Sequence, residues 1–276
     1  MMEGKAQIID GRALADTIRQ ETAAQITKLG LTPGLAAILV GHDPASELYV
    51  KLKAKAAKAV GVVFHLYRFP DNITEAELLE AIAWLNQDKD IDGILVQLPL
   101  PGQLDENKII QAIAAKKDAD GFHGKDYIIP GLANGILQLL ASTNENLKSK
   151  QALIVARSPE FTGSISHLLR EFGIANSIAS PDDNDIKTKT QGADILIVAA
   201  GMPNWIKKED IKPGAIIIDV GTNRLADGTV VGDVDFADCA DKASWITPVP
   251  GGVGPMTVAM LLKNTVALAI THQTSP

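Results

Sequence analysis

In the stretch Ser46-Glu47-Leu48-Tyr49-Val50-Lys51-Leu52-Lys53-Ala54-Lys55-Ala56-Ala57-Lys58-Ala59-Val60, spacing decides which lysine can do chemistry. On a helix advancing about 100° per residue, Lys51, Lys55 and Lys58 fall roughly 180–240° from Tyr49. That is opposite an arc holding Leu48, Leu52, Ala56, Ala59 and Val60. Lys53 falls roughly 40° from Tyr49, one turn on. An amine beside a phenol at the edge of an apolar face is partly desolvated, which favours the neutral form that a proton acceptor needs. A solvated basic face with one lysine lying along its rim has the same spacing.

Gln97 closes the apolar run Gly93-Ile94-Leu95-Val96 before Leu98-Pro99-Leu100-Pro101-Gly102, and its amide can accept from an ammonium while donating elsewhere. A capping amide in a loop reads equally well. Asp118 and Asp120 flank Ala119 ahead of Gly121-Phe122, where a carboxylate can accept two parallel hydrogen bonds from an amino-pyrimidinone edge. Acidic residues before glycine are also ordinary turn formers. Pro248 to Pro255 holds three prolines and three glycines, fixing φ while leaving backbone unobstructed. Such a loop, with Pro250, Gly251 and Gly252 at its centre, can wall a flat ligand; flexible linkers are more polar. Arg157-Ser158 offers a guanidinium and a hydroxyl for a phosphate, or else a surface turn.

The elements that must position these groups alternate. A short strand precedes a helix over Gly11–Leu29, then come a buried strand at 35–40, the lysine helix, a strand at 62–69, a helix at 75–85 and a strand at 93–98. Helices near 107–115 and 132–140 follow, and 142–150 reads as a hinge or linker. The alternation restarts with a strand at 152–156, a helix at about 163–172 and strands at 174–179, 194–198 and 215–219, and it ends with an apolar helix at 256–270. Strand and helix in alternation mean an α/β protein with parallel sheets. The expected division is 1–141 (completed by 256–276) and a Rossmann-like domain at 142–255, although only Gly163 stands in the first strand-to-helix turn of the latter.

The 276 residues carry a net charge of −7, which argues against nucleic-acid or anionic-membrane partners and for a small soluble one. The single cysteine, Cys239, makes no internal disulfide, the five histidines lack ligand spacing, and no metal is expected. No signal-type segment opens the sequence, and no apolar run approaches the ~18 residues of a membrane span, so a cytoplasmic location is expected.

Tyr49-Val50-Lys51-Leu52-Lys53, Asp92 to Pro101, Lys117 to Phe122 and Pro248 to Thr257 together resemble the bifunctional methylenetetrahydrofolate dehydrogenase/methenyltetrahydrofolate cyclohydrolase family, over nearly the whole chain. The resemblance implies that Lys53 is the central catalytic group, Tyr49 lines the folate site, Gln97 tunes the lysine and Asp120 holds the pterin, with Pro250, Gly251 and Gly252 in the substrate loop. It implies two reactions in one crevice between domains: hydride transfer from methylene-tetrahydrofolate to NADP, then hydrolysis to formyl-tetrahydrofolate, a donor for purine biosynthesis. Ala156, Arg157, Ser158, Ser180 and Thr222 are the implied cofactor residues, and a homodimer through the Rossmann-like domain is implied as well.

The family's Gly-Arg-Ser turn stands here as Ala156-Arg157-Ser158, one residue further from the next glycine. Pro130-Gly131-Leu132-Ala133 replaces its Pro-Cys-Thr-Pro, and the stretch from Phe122 to Pro130 is shorter. Carboxylates in Pro181-Asp182-Asp183-Asn184-Asp185 suit a free ribose hydroxyl better than a phosphate, so NAD use or weak selectivity is an alternative to NADP. Two rivals follow: a cyclohydrolase with a weakened dehydrogenase, and a non-catalytic folate-binding protein. The latter has little need of Tyr49, Lys53 and Gln97 together.

Overall fold

A computed structural model describes residues 5–123 and 128–274. Its elements are β1 (Gln7–Ile8), α1 (Gly11–Leu29), β2 (Gly34–Val40), α2 (Pro44–Val60), β3 (Val63–Phe69), α3 (Glu75–Gln87), β4 (Gly93–Val96), α4 (Glu106–Ala112) and α5 (Gly131–Ala141). After these come β5 (Gln151–Ala156), α6 (Pro159–Glu171), β6 (Ala175–Ala179), α7 (Ile186–Gly192), β7 (Ile195–Ala199) and β8 (Ile216–Asp219). The chain ends with β9 (Asn223–Arg224), β10 (Val230–Val231), α8 (Phe236–Cys239), β11 (Trp245–Ile246) and α9 (Val253–Thr274). Two compact units result: residues 16–131 with 258–276, and residues 1–15 with 132–257.

The first unit holds a parallel sheet in the order β3-β2-β4. All seven residues of β2 are buried, as a central strand covered on both faces requires. Gly34 opens it because a Cβ there would lie 1.9 Å from the carbonyl oxygen of Asp90. One face packs Ala36, Ile38 and Ile94 against Leu78, Ile82 and Ile109, and the other packs Leu35, Ala37 and Leu95 against Ala57, Leu262 and Val266.

The second unit holds a six-stranded sheet, β6-β5-β7-β8-β11-β1, with every adjacent pair parallel. Ile154, Ile195, Leu196, Ile197, Ile216, Ile217 and Ile218 are all fully buried. From β5 onward the order is 2-1-3-4-5, a doubly wound arrangement with its switch point between β5 and β7.

Several expectations need correction. The helix expected from about Gly163 begins at Pro159, because Ser158 accepts the amide of Phe161 as N-cap and proline suits the first helical position. Gly163 therefore lies inside α6 and not in the turn, and a Cβ on it would meet nothing within 4 Å. Apolar-run reading missed α7, α8, β9, β10 and β11, which are short and contain polar or isolated apolar residues. Finally, α9 is, by length and composition, long enough to cross a membrane. Its Leu261, Leu262, Val266 and Leu268 are instead core residues of the first unit.

Candidate active site

Each sheet gathers candidate residues beyond the C-terminal ends of its strands, and open α/β sheets bind ligands there, at a switch point in the strand order. In the three-stranded sheet that point lies between β2 and β4. Asp43 caps α2 just after β2, accepting the amide of Ser46 at 2.7 Å with Pro44 in the first turn. Gly61 ends the helix at φ 92°. The helix buries Ser46, Val50, Ala57 and Val60 and leaves Lys51, Lys55 and Lys58 exposed. Leu48 and Leu52, expected on the buried arc, are 48% and 47% exposed. The buried stripe is centred about 60° past Tyr49 on the other side, so Lys53 stands within it and not at its edge.

Lys53 is half-buried, and its Nζ donates to Gln97 Oε1 at 2.9 Å. The Gln97 amide N–H donates to the Ile38 carbonyl at 2.9 Å, continuing the β2–β4 ladder one residue past the strand. Its side-chain Nε2 donates to the Leu98 carbonyl at 2.7 Å, which leaves Oε1 as the face offered to the lysine. The Ser46 hydroxyl donates to that carbonyl too, at 3.4 Å. The Lys53–Gln97 bond thus spans the switch point. Tyr49 is 43% exposed, flanked by the exposed Leu52.

Asp118 and Asp120 separate into distinct roles. Asp118 is buried and accepts the amides of Gly121 at 3.0 Å and His123 at 2.7 Å, so it builds the turn. Asp120 is partly buried, and desolvation raises its pKa, opposed by the Lys53 ammonium and reinforced by Asp118. Lys117 proves structural: its buried ammonium donates to the Leu85 and Asp88 carbonyls at 3.0 and 2.5 Å, closing the C-terminal end of α3. Burial is the first cause of its lowered pKa. Of the shortened stretch after Phe122, residues 124–127 lie outside the described residues.

Sequence reasoning missed Asn264. Its buried Nδ2 donates to the Ala119 and Ile129 carbonyls at 3.0 and 3.2 Å, fixing the backbone on both sides of Asp120 from α9. The available signal was an asparagine amid the apolar run of α9, between Leu261-Leu262 and Val266. Asn264→Leu is expected to destabilise the fold by about 1–3 kcal/mol by leaving two carbonyls unpaired. Urea denaturation reads this, and an unmoved midpoint would show that the carbonyls find other donors.

In the six-stranded unit, Ala156 is buried at the end of β5 and Arg157-Ser158 form the turn into α6. Arg157 donates to both carboxylate oxygens of Asp182, at 3.1 and 2.9 Å, and to the Ala200 carbonyl beyond β7 at 2.6 Å. The Ser158 hydroxyl accepts from Phe161 and donates to Glu160 Oε2 at 2.9 Å, so helix capping already engages it. Ser180 is half-buried after β6, and Thr222 is exposed after β8. The final loop also lies in this unit. Gly251 has φ 124°, and a Cβ on Gly252 would meet the Thr247 side chain at 2.7 Å and the Pro248 carbonyl oxygen at 2.8 Å, while Pro250 is exposed.

Asp233 was also missed. Fully buried, it accepts the amides of Ala200, Gly201 and Met202 at 2.6, 3.1 and 2.8 Å and the Asn223 side chain at 2.8 Å. This cradles the loop after β7 against the turn after β8. Asp219 accepts the amides of Gly221, Asp233 and Val234, yet burial first and the nearby Asp233 in addition push its pKa up to about 7. Asp233→Asn would set an amide N–H₂ against backbone donors, and a stability loss of about 1–3 kcal/mol is expected. Calorimetric melting tests it, and an unchanged profile would remove Asp233 from the scaffold of the loop.

Residues 9–120 match the family described as tetrahydrofolate dehydrogenase/cyclohydrolase, catalytic domain, and residues 130–273 match its NAD(P)-binding domain. The bifunctional protein FolD of Wolinella succinogenes is 44% identical, over 98% of this chain and 99% of that one. The crystal structure of the bifunctional enzyme FolD from Campylobacter jejuni superposes with a TM-score of 0.92 at 40% identity, covering 96% and 99% of the two chains. The Trypanosoma brucei enzyme, solved with NADP cofactor and inhibitor, gives 0.92 at 34% identity, covering 98% and 99%. With the switch-point lysine and glutamine, the carboxylate turn and these matches in place, the chain belongs to the tetrahydrofolate dehydrogenase/cyclohydrolase family.

Proposed function

We propose that this protein oxidises 5,10-methylenetetrahydrofolate with a nicotinamide cofactor and hydrolyses the methenyl product to 10-formyltetrahydrofolate. The observation that carries this is the Lys53–Gln97 hydrogen bond across the β2–β4 switch point, with Asp120 close enough to feel the lysine's charge. Asp120 accepts from the amino-pyrimidinone edge of the pterin, while Tyr49 and Leu52 offer apolar surface for the flat ring system. Gln97 fixes the direction of the amine. In its neutral form Lys53 takes a proton from the water whose oxygen bonds to the methenyl carbon. Orientation and a placed proton acceptor are the protein's share of the hydrolysis.

The doubly wound sheet, the capped α6 and the Asp233-cradled loop beyond β7 fit a dinucleotide, held by Arg157, the α6 N-terminus and the turns carrying Ser180 and Thr222. When bound, its nicotinamide supplies the hydride acceptor. Pro250, Gly251 and Gly252 are read as substrate-loop residues on their resemblance and on the backbone they leave unobstructed. The same reading carries a homodimer through the six-stranded unit, a cytoplasmic location and a supply of formyl groups for purine biosynthesis. Absorbance-monitored turnover of methylene-tetrahydrofolate with each nicotinamide cofactor, alongside hydrolysis of the methenyl compound, tests the function. Hydrolysis without oxidation would leave a cyclohydrolase alone, and folate binding without either activity would leave a binding protein.

A further inference from the structure

Arg157 is the guanidinium available beyond β5, and its donors are already engaged by Asp182 and the Ala200 carbonyl. Both members of the ion pair are accessible, at 50% and 69% of their side-chain surface, so the pair sits on the ligand side and not within the core. Asp182 is aimed by its own turn, with its amide donating to the Ser180 hydroxyl at 3.2 Å. Its acidic neighbours point elsewhere. Asp183 accepts from Lys189 at 2.8 Å and from the Ser180 amide at 3.2 Å, and Asp185 pairs with the same lysine at 2.9 Å. Of the acidic run, then, Asp182 alone faces the arginine.

In doubly wound nucleotide folds a carboxylate at the end of the second strand receives the adenosine ribose, whose 2′-hydroxyl it accepts from. Asp182 follows β6, the second strand of this order. A 2′-phosphate there would bring roughly two negative charges against that carboxylate. Its natural receiver, Arg157, is held in a bidentate pair, and Lys189 is held by two aspartates.

We propose that Asp182 is the specificity-determining residue for the cofactor: it receives the ribose 2′-hydroxyl of NAD and, by holding Arg157, closes the position to the 2′-phosphate of NADP. This rests on the dehydrogenase reading above. Titration calorimetry of the full chain with NAD, NADP and adenosine 2′,5′-bisphosphate tests it independently of turnover. The expected result is NAD binding at least tenfold tighter than NADP. Asp182→Ser is expected to shift the ratio at least tenfold toward NADP and to give measurable bisphosphate binding. Adding Arg157→Gln should cancel that gain, since the released guanidinium is what meets the phosphate. Tighter binding of NADP by the unmodified protein, or a ratio in Asp182→Ser within threefold of the parent's, would overturn the proposal while leaving the dehydrogenase reading intact. Binding of neither dinucleotide, with methenyl hydrolysis retained, would overturn both.

Discussion

Lys53→Met is expected to abolish methenyl hydrolysis while leaving folate binding largely intact. The substitution keeps the stem that packs in the buried stripe of α2 and removes the amine that donates to Gln97. Gln97 then loses its acceptor role, but its Nε2 still donates to the Leu98 carbonyl, so the loop keeps its shape. Removing the ammonium also takes away the charge that lowers the Asp120 pKa. Affinity is therefore best compared as a function of pH, since without the ammonium the carboxyl ionises only at higher pH. Lys51→Met is the control, since Lys51 is exposed and faces away. Hydrolysis by Lys53→Met within about threefold of the parent, under ~1 kcal/mol of barrier, would sink the mechanism.

The central strands of both sheets were legible because buried parallel strands are continuous apolar runs, as in Leu35 to Val40 and Ile216 to Ile218. Lys53 was singled out from its angle relative to Tyr49, and the structure sets it against Gln97, but the buried face was assigned from residue type. Leu48 and Leu52 are apolar yet exposed, while Ser46 is polar yet buried under the Leu98 carbonyl. Hydrophobicity alone does not report which side of a helix meets the sheet. The turn after β5 was misread because a glycine was taken as its end, whereas Ser158 and Pro159 start the helix. Asp233 and Asn264 escaped notice because their partners are backbone groups 31–33 and 135–145 residues away, for which local spacing carries no signal.

Asp120→Asn is expected to depress both activities together by weakening folate binding, and at the same time to raise thermal stability at neutral pH. The first effect follows from the loss of a charged acceptor at the pterin edge, worth about 1.5–3 kcal/mol, or roughly 10- to 150-fold in affinity. The second follows from the sign of its pKa shift. Burial raises the carboxyl's pKa in the folded chain above that of the unfolded chain, so the folded state holds the proton more tightly. Ionisation therefore costs stability increasingly as pH rises from the unfolded value through the folded one, and the cost is absent below both. The amide removes that cost, so the gain in melting temperature should be present at pH 7, shrink as pH falls towards the ordinary carboxyl value of 3.8 and vanish below it. Lys53 opposes the shift, so in a Lys53→Met background the stabilisation by Asp120→Asn should be larger, a coupling that a double-mutant cycle reads directly. Unchanged folate affinity would make Asp120 an ordinary turn residue. A melting difference that does not vary with pH would show that the carboxyl is not desolvated in the folded protein, and that substrate recognition at this turn carries no stability cost.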